Sequence, residues 1–129
     1  MEQIELLSKV PLLSDLPVVE LKRLTSTLRV VELGAGAVLF REGEPGDSLY
    51  IVIEGRVDVI MALDSPDEKV IASLGPGEFM GEMSLLLPGG QRTASVRSNS
   101  PARLWLLARP DFDALLHRQP SLAYTMILP

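Results

Sequence analysis

One short stretch gathers residue types that together can hold a charged, hydroxylated small molecule. From Gly75 the chain reads Gly-Pro-Gly-Glu-Phe-Met, then Gly81-Glu82-Met83-Ser84, a hydrophobic segment, a Pro88-Gly89-Gly90 break and Arg92-Thr93-Ala94. A glycine at the start of a helical turn lets backbone N–H groups approach an anion closely. An arginine adds a planar fork of donors that matches phosphate oxygens. A carboxylate nearby repels a phosphate but accepts a hydrogen bond from a hydroxyl. Arg92 and Glu82 at one mouth therefore suit a ligand with both a phosphate and a hydroxylated ring. Each residue alone also has an ordinary reading: Arg92 as a solvated turn residue, Glu82 as a helix-start carboxylate favoured by the dipole, Thr93 as a strand residue.

The surrounding chain must position these groups. From about residue 30 to 108, short runs of valine, isoleucine and leucine alternate with glycine and proline punctuation. Gly34-Ala-Gly36, Gly43-Glu-Pro45-Gly46, Gly55, Gly75-Pro76-Gly77 and Gly89-Gly90 mark the turns. Evenly spaced short strands of this kind predict an antiparallel sandwich or jelly-roll barrel of about eight strands. Tyr50–Ile53 reads as a buried strand, Gly55–Met61 as a half-exposed one, and Arg103–Ala108 as the strand that closes the sheet. Leucines 13, 16, 21, 24 and 28 approach helical spacing, and residues 17–28 predict a short amphipathic helix with Pro17 in its first turn. Pro110–Leu116 and a stretch from Pro120 predict two helices after the strands. The fold class is therefore mainly β, with flanking N- and C-terminal helices.

At 129 residues the chain is the size of one domain, and its 47% hydrophobic content supports a core. A net charge of −5, with scattered lysines and arginines, argues against broad nucleic-acid binding and against a basic membrane-surface patch. The absence of cysteine excludes disulfides, thiolate metal sites and cysteine nucleophiles, and fits a reducing cytoplasm. No apolar run approaches the roughly 20 residues of a spanning helix, and Met1–Glu5 lacks the basic start of a signal peptide. No metal site is expected, because His117 is the lone histidine and falls on a late helix. The apolar ending, Tyr124–Pro129, has no cap and reads as a helix cut short in a fragment of a longer protein.

Residues 75–97 resemble the phosphate-binding cassette of the cyclic nucleotide-binding domain family, whose pattern is roughly Phe-Gly-Glu-Leu-Ala-Leu, a loop, then Pro-Arg-Ser/Thr/Ala-Ala. Met80–Leu85 and Gln91–Ala94 stand at those places. Gly43, Gly46, Asp47, Tyr50, Ile51, Gly55, Val57 and Val59 match the family's Gly…Gly-Asp…Tyr-Ile…Gly-x-Val-x-Val run, so the likeness covers nearly the whole chain. It departs at Gln91, where proline is usual, at Met80, and in the Pro88-Gly89-Gly90 loop.

The resemblance implies a regulatory module for a cyclic mononucleotide, cyclic AMP or cyclic GMP, with no cofactor and no catalysis. Arg92 would pair with the cyclic phosphate, and the backbone N–H groups of Glu82, Met83 and Ser84 would face it, with Gly81 permitting the approach. Glu82 would hold the ribose 2′-hydroxyl, Thr93 would serve the phosphate or a guanine, and Ala94 would leave room for the ligand. Val59, Ile71 and Met83 would form the apolar wall beside the base. Leu122, Tyr124, Met126 and Ile127 either cap the base or pack in the core. An effector domain in the full-length chain, a cytoplasmic setting and a possible homo-oligomer follow as expectations. The alternatives are a scaffold of the same fold without nucleotide, another phosphorylated ligand such as a cyclic dinucleotide, and a metal-dependent barrel enzyme that a single histidine does not support.

Overall fold

The computed structural model describes residues 2–86 and 89–127; Met1, Leu87, Pro88, Leu128 and Pro129, and the side chains of Glu2 and Ile127, lie outside the described residues. Two helices lead, α1 (Glu2–Ser8) and α2 (Val18–Thr27). Eight strands follow: β1 (Arg29–Leu33), β2 (Val38–Phe40), β3 (Ser48–Glu54), β4 (Val57–Met61), β5 (Lys69–Leu74), β6 (Phe79–Met80), β7 (Ser95–Ser98) and β8 (Ala102–Ala108). A one-turn helix, α3 (Glu82–Leu86), interrupts the strands after β6, and α4 (Arg109–Arg118) and α5 (Ser121–Ile127) end the fold.

The strands form two antiparallel four-stranded sheets, ordered β1-β8-β3-β6 and β2-β7-β4-β5. The mainly β architecture with flanking helices is thus the one expected. One placement differs. β8 does not close the sheet but lies at its centre, pairing Val30 with Trp105 on one side and Ile51 with Trp105 on the other. A run as apolar as Arg103–Ala108 is covered on both edges and both faces, which local pattern does not distinguish from an edge.

Alternate residues of β3 face two different cores. Leu49 and Ile51 join α1, α2 and α4 in a helix-side cluster with Leu7, Leu24, Trp105, Phe112 and Leu115. Tyr50 and Val52 face the interior of the sandwich with Val57, Met80, Val96 and Leu104. That is why Ser48–Val52 is buried without a break. β4 does not alternate cleanly, because its register against β5 shifts between Val59 and Ile60. Val57 and Ile60 are both buried as a result.

Pro17 stands at the cap of α2, one residue ahead of the helix. Pro110 occupies the first turn of α4, where its missing N–H leaves no helical bond unmade. The seam between these helices holds a buried carboxylate, Glu20, whose two oxygens each accept from Arg118 Nε at 2.9 Å. Arg23 adds a second cation 3.6 Å away.

Candidate functional site

The stretch from Met80 to Ala94 crosses from one sheet to the other and leaves a cavity of about 220 Å³ between them. That volume holds several waters, whose share of liquid is about 30 Å³ each. Its wall includes Gly81, Glu82, Met83, Ser84, Arg92, Thr93, Ala94 and Val59, residues far apart in the chain that the fold brings together. Ile71 is not among them: it lies on the edge strand β5, 52% exposed. The register shift in the β4–β5 pair skips Ile71, pairing Val59 with Ala72 and Ile60 with Val70. The apolar wall is instead completed by Leu74, Phe79 and Phe40. Phe40 escapes a local reading because it reaches the site through the pairing of β2 with β7, and only the folded register shows this.

Arg92 is the centre of the site and is only 5% exposed. Its Nη1 donates to Gly81 O at 3.1 Å and Ser84 Oγ at 2.9 Å, and its Nη2 donates to Ser48 O at 3.0 Å. The guanidinium lies 4.1 Å from the Phe40 ring centroid and 5.7 Å from that of Tyr50, so two aromatic faces share in holding the charge. None of the ion pairs among the described residues includes Arg92. Its Nε is buried with no hydrogen-bond partner. Burial presses the guanidinium below its usual pKa, against the opposing fields of Tyr50, Asp47, Glu44 and Glu82.

Gly81 makes this packing possible. It sits at φ 91°, a left-handed conformation that suits glycine, and a Cβ there would meet Arg92 Nη1 at 2.5 Å and Ser48 O at 2.9 Å. Gly46 is equally confined: a Cβ would press into Ser84 and come 2.7 Å from Arg92 Nε. Ser84, buried at the floor, donates its hydroxyl to Gly81 O at 2.9 Å while accepting from Arg92. The Gly-Glu pair and the arginine are thus built into one another.

Glu82 opens α3 with its carboxyl half-buried at the cavity wall. Burial raises its pKa above 4.5, opposed by its own backbone N–H, the Arg92 charge and the Met83 N–H. Its Oε2 is buried with no partner. Thr93 is exposed at the rim, Ala94 is buried, and Met83 is 38% exposed. Of the residues at the C-terminal end, Leu122 and Met126 pack in the helix-side core, and Tyr124 is 71% exposed; none of these three borders the cavity.

The site therefore brings together a cation in no ion pair among the described residues, a carboxyl and an apolar wall. These groups can bind an anion and a hydroxyl at once. Among the described residues no group of three acidic, histidine or cysteine side chains could hold a metal ion. His117 lies exposed in the last turn of α4.

Several known proteins are similar to this chain. A cyclic nucleotide-gated potassium channel of Mesorhizobium japonicum is 39% identical over 119 residues, covering 92% of this chain and 31% of the channel. The catabolite activator protein of Thermus thermophilus superposes with a TM-score of 0.78 at 34% identity, over 90% of this chain and 54% of that one. The regulatory subunit of a cAMP-independent protein kinase A from Trypanosoma brucei reaches 0.85 at 31% identity, over 98% and 46%. The chain thus spans about a third of the channel and about half of the other two. The model of the cyclic nucleotide-binding domain matches residues 30–119, from β1 to the end of α4 and across every wall of the cavity, and the chain belongs to that family.

Proposed function

We propose that this chain binds a cyclic mononucleotide, cyclic AMP or cyclic GMP, and passes the occupancy of its cavity to an effector domain. The observation that carries the reading is one cavity lined by both Arg92 and Glu82, each of which keeps a buried side-chain atom without a hydrogen-bond partner, Nε and Oε2. A buried donor or acceptor without a partner costs about 1–3 kcal/mol. A cyclic phosphate at the guanidinium and a ribose hydroxyl at the carboxyl would, with a small readjustment of the cradle, supply such partners. The apolar wall of Val59, Leu74, Phe79 and Met83 then receives the base. Thr93 at the rim can serve phosphate or guanine, which leaves both nucleotides as ligands.

The role is regulatory rather than catalytic. Among its described residues the site brings together donors, acceptors and an apolar wall, which suits binding. Relatives of this chain include a cyclic nucleotide-gated potassium channel and a catabolite activator protein, of which it spans about a third and about half.

Isothermal titration with cyclic AMP and cyclic GMP, with 5′-AMP as control, tests the reading. Micromolar or tighter binding of a cyclic form without binding of 5′-AMP supports it and gives the base preference. A second reading, a scaffold that keeps the fold without such a ligand, is favoured by the likeness to a kinase subunit described as cAMP-independent. It predicts no heat with any nucleotide, from this chain or from a longer chain that carries it, and that outcome overturns the proposal.

A further inference from the structure

Arg92 spends its donors largely on its own cradle. Nη1 donates to Gly81 O at 3.1 Å and Ser84 Oγ at 2.9 Å, and Nη2 donates to Ser48 O at 3.0 Å. Nε is buried beside Gly46. A phosphate is matched by a pair of parallel N–H groups on one edge of the guanidinium. The edge made by Nη1 and Nη2 is engaged, and the edge made by Nη2 and Nε is enclosed. The guanidinium must therefore shift before it offers a phosphate such a pair.

Two of these acceptors are backbone carbonyls, and the Ser48 hydroxyl lies farther off, 3.5 Å from Nη2. Ser84 Oγ is the close acceptor on a side chain. Ser84 is 2% exposed, and its hydroxyl also donates to Gly81 O at 2.9 Å. The hydroxyl therefore keeps a partner whether or not Arg92 stays against it. Ser84 stands where the family pattern has alanine, so such a cradle can be built without the hydroxyl. We propose that Ser84 is a positioning residue that competes with the ligand for Arg92, and holds the affinity of this chain below that of the same cradle with alanine. The proposal rests on the cyclic nucleotide reading above. A contact made only without ligand subtracts from binding what it adds to stability, because it lowers the fraction of chains ready to bind.

The test compares wild type, Ser84→Ala and Ser84→Cys by titration with cyclic AMP and cyclic GMP, and by thermal melts with and without saturating nucleotide. Ser84→Ala is expected to bind about fivefold more tightly, the worth of one hydrogen bond. Its melting temperature without nucleotide should fall below that of wild type, and saturating nucleotide should narrow the gap. Ser84→Cys keeps nearly the same size but is a weak acceptor, so it should bind about twofold more tightly than wild type. A hydroxyl that only supports the fold, or that serves the ligand itself, gives the opposite sign: its removal weakens binding.

If wild type binds a cyclic nucleotide and Ser84→Ala binds it no more tightly, the proposal is overturned while the site reading stands. Should the alanine variant lose its melting transition, Ser84→Cys decides, and an affinity at or below that of wild type overturns the proposal. Wild type and variants that all bind neither nucleotide overturn the site reading and the competition together.

Discussion

Two regions of this molecule bury charge, and they treat it in opposite ways. In the seam between α2 and α4, Glu20 is 4% exposed and both its oxygens are taken by Arg118, with Arg23 close by. At the cavity, Arg92 is buried as deeply, yet no ion pair among the described residues includes it, and the carboxyl of Glu82 on the same wall keeps one oxygen unpartnered. Opposite charges are available in both places. In the seam they meet, and at the cavity the arginine is held away from the carboxylate by Gly81 O, Ser84 Oγ, Ser48 O and two aromatic rings. A buried carboxylate that is fully paired holds helices together; a buried arginine kept from its carboxylate leaves room for a third party.

The comparison breaks most visibly if the two regions fail to separate stability from binding. Arg118→Met leaves Glu20 buried with only Arg23 nearby, and should lower stability by about 3 kcal/mol in urea denaturation. Its nucleotide affinity should change little, because the seam lies outside the cavity wall. Arg92→Ala should do the reverse, weakening cyclic nucleotide binding by about 2 kcal/mol or more in calorimetry while shifting the denaturation midpoint less than Arg118→Met. Equal losses of stability in both variants would erase the distinction, and an Arg92→Ala chain with wild-type affinity would refute the cradle.

Gly81→Ala sharpens the account of how the charges are kept apart. The new methyl meets Arg92 Nη1 and Ser48 O in a left-handed backbone, at a cost of about 1–3 kcal/mol, and it displaces the guanidinium. Both the melting temperature and the nucleotide affinity should fall. Glu82→Ala is expected to have a smaller effect, about 1 kcal/mol of affinity through the lost hydroxyl contact.

The smallest effect is one of pH. The folded-state pKa of Glu82 is raised by burial above its unfolded value of 4.5. The folded chain therefore binds that proton more tightly than the unfolded chain does. The charged group costs stability at neutral pH, and that cost is relieved as pH falls through the raised value toward 4.5. Nucleotide binding should move the other way, since a ribose hydroxyl needs the carboxylate as acceptor. Affinity measured by titration should weaken in that acid window, and Glu82→Gln should flatten the profile.

The parts of the site readable in sequence are those set by local chemistry. Gly81-Glu82 and Arg92-Thr93-Ala94 are contiguous words, and glycine, arginine and carboxylate each have few substitutes in their roles. Val59 and Ile71 were both assigned to the wall by resemblance; Val59 lines it, whereas the register shift skips Ile71, which lies exposed on the edge strand. Whether a strand carries such a shift depends on its partner, and no residue in Lys69–Leu74 announces it. Phe40 has the same difficulty, since it reaches Arg92 through the pairing of β2 with β7, far from it in sequence. In the fold, the strand count, α2, α4 and α5 followed from punctuation and periodicity. The helix α1 did not: its seven residues are too few for a helical pattern to stand out, and Leu7 becomes part of a core only once β3 and β8 are in place.

The central position of β8 also bears on how the chain acquires its shape. β1 and β3 both hydrogen-bond to β8, and the pairing of Arg29 with Leu106 joins positions near opposite ends of the domain. Such non-local pairing is slow to form, on the order of milliseconds to seconds for β-rich domains. During synthesis β1 and β3 must wait, with edges open, until residue 108 has left the ribosome. A chain released before that point presents two unsatisfied strand edges in place of one sheet, so premature termination inside β8 should yield aggregates rather than a smaller folded domain.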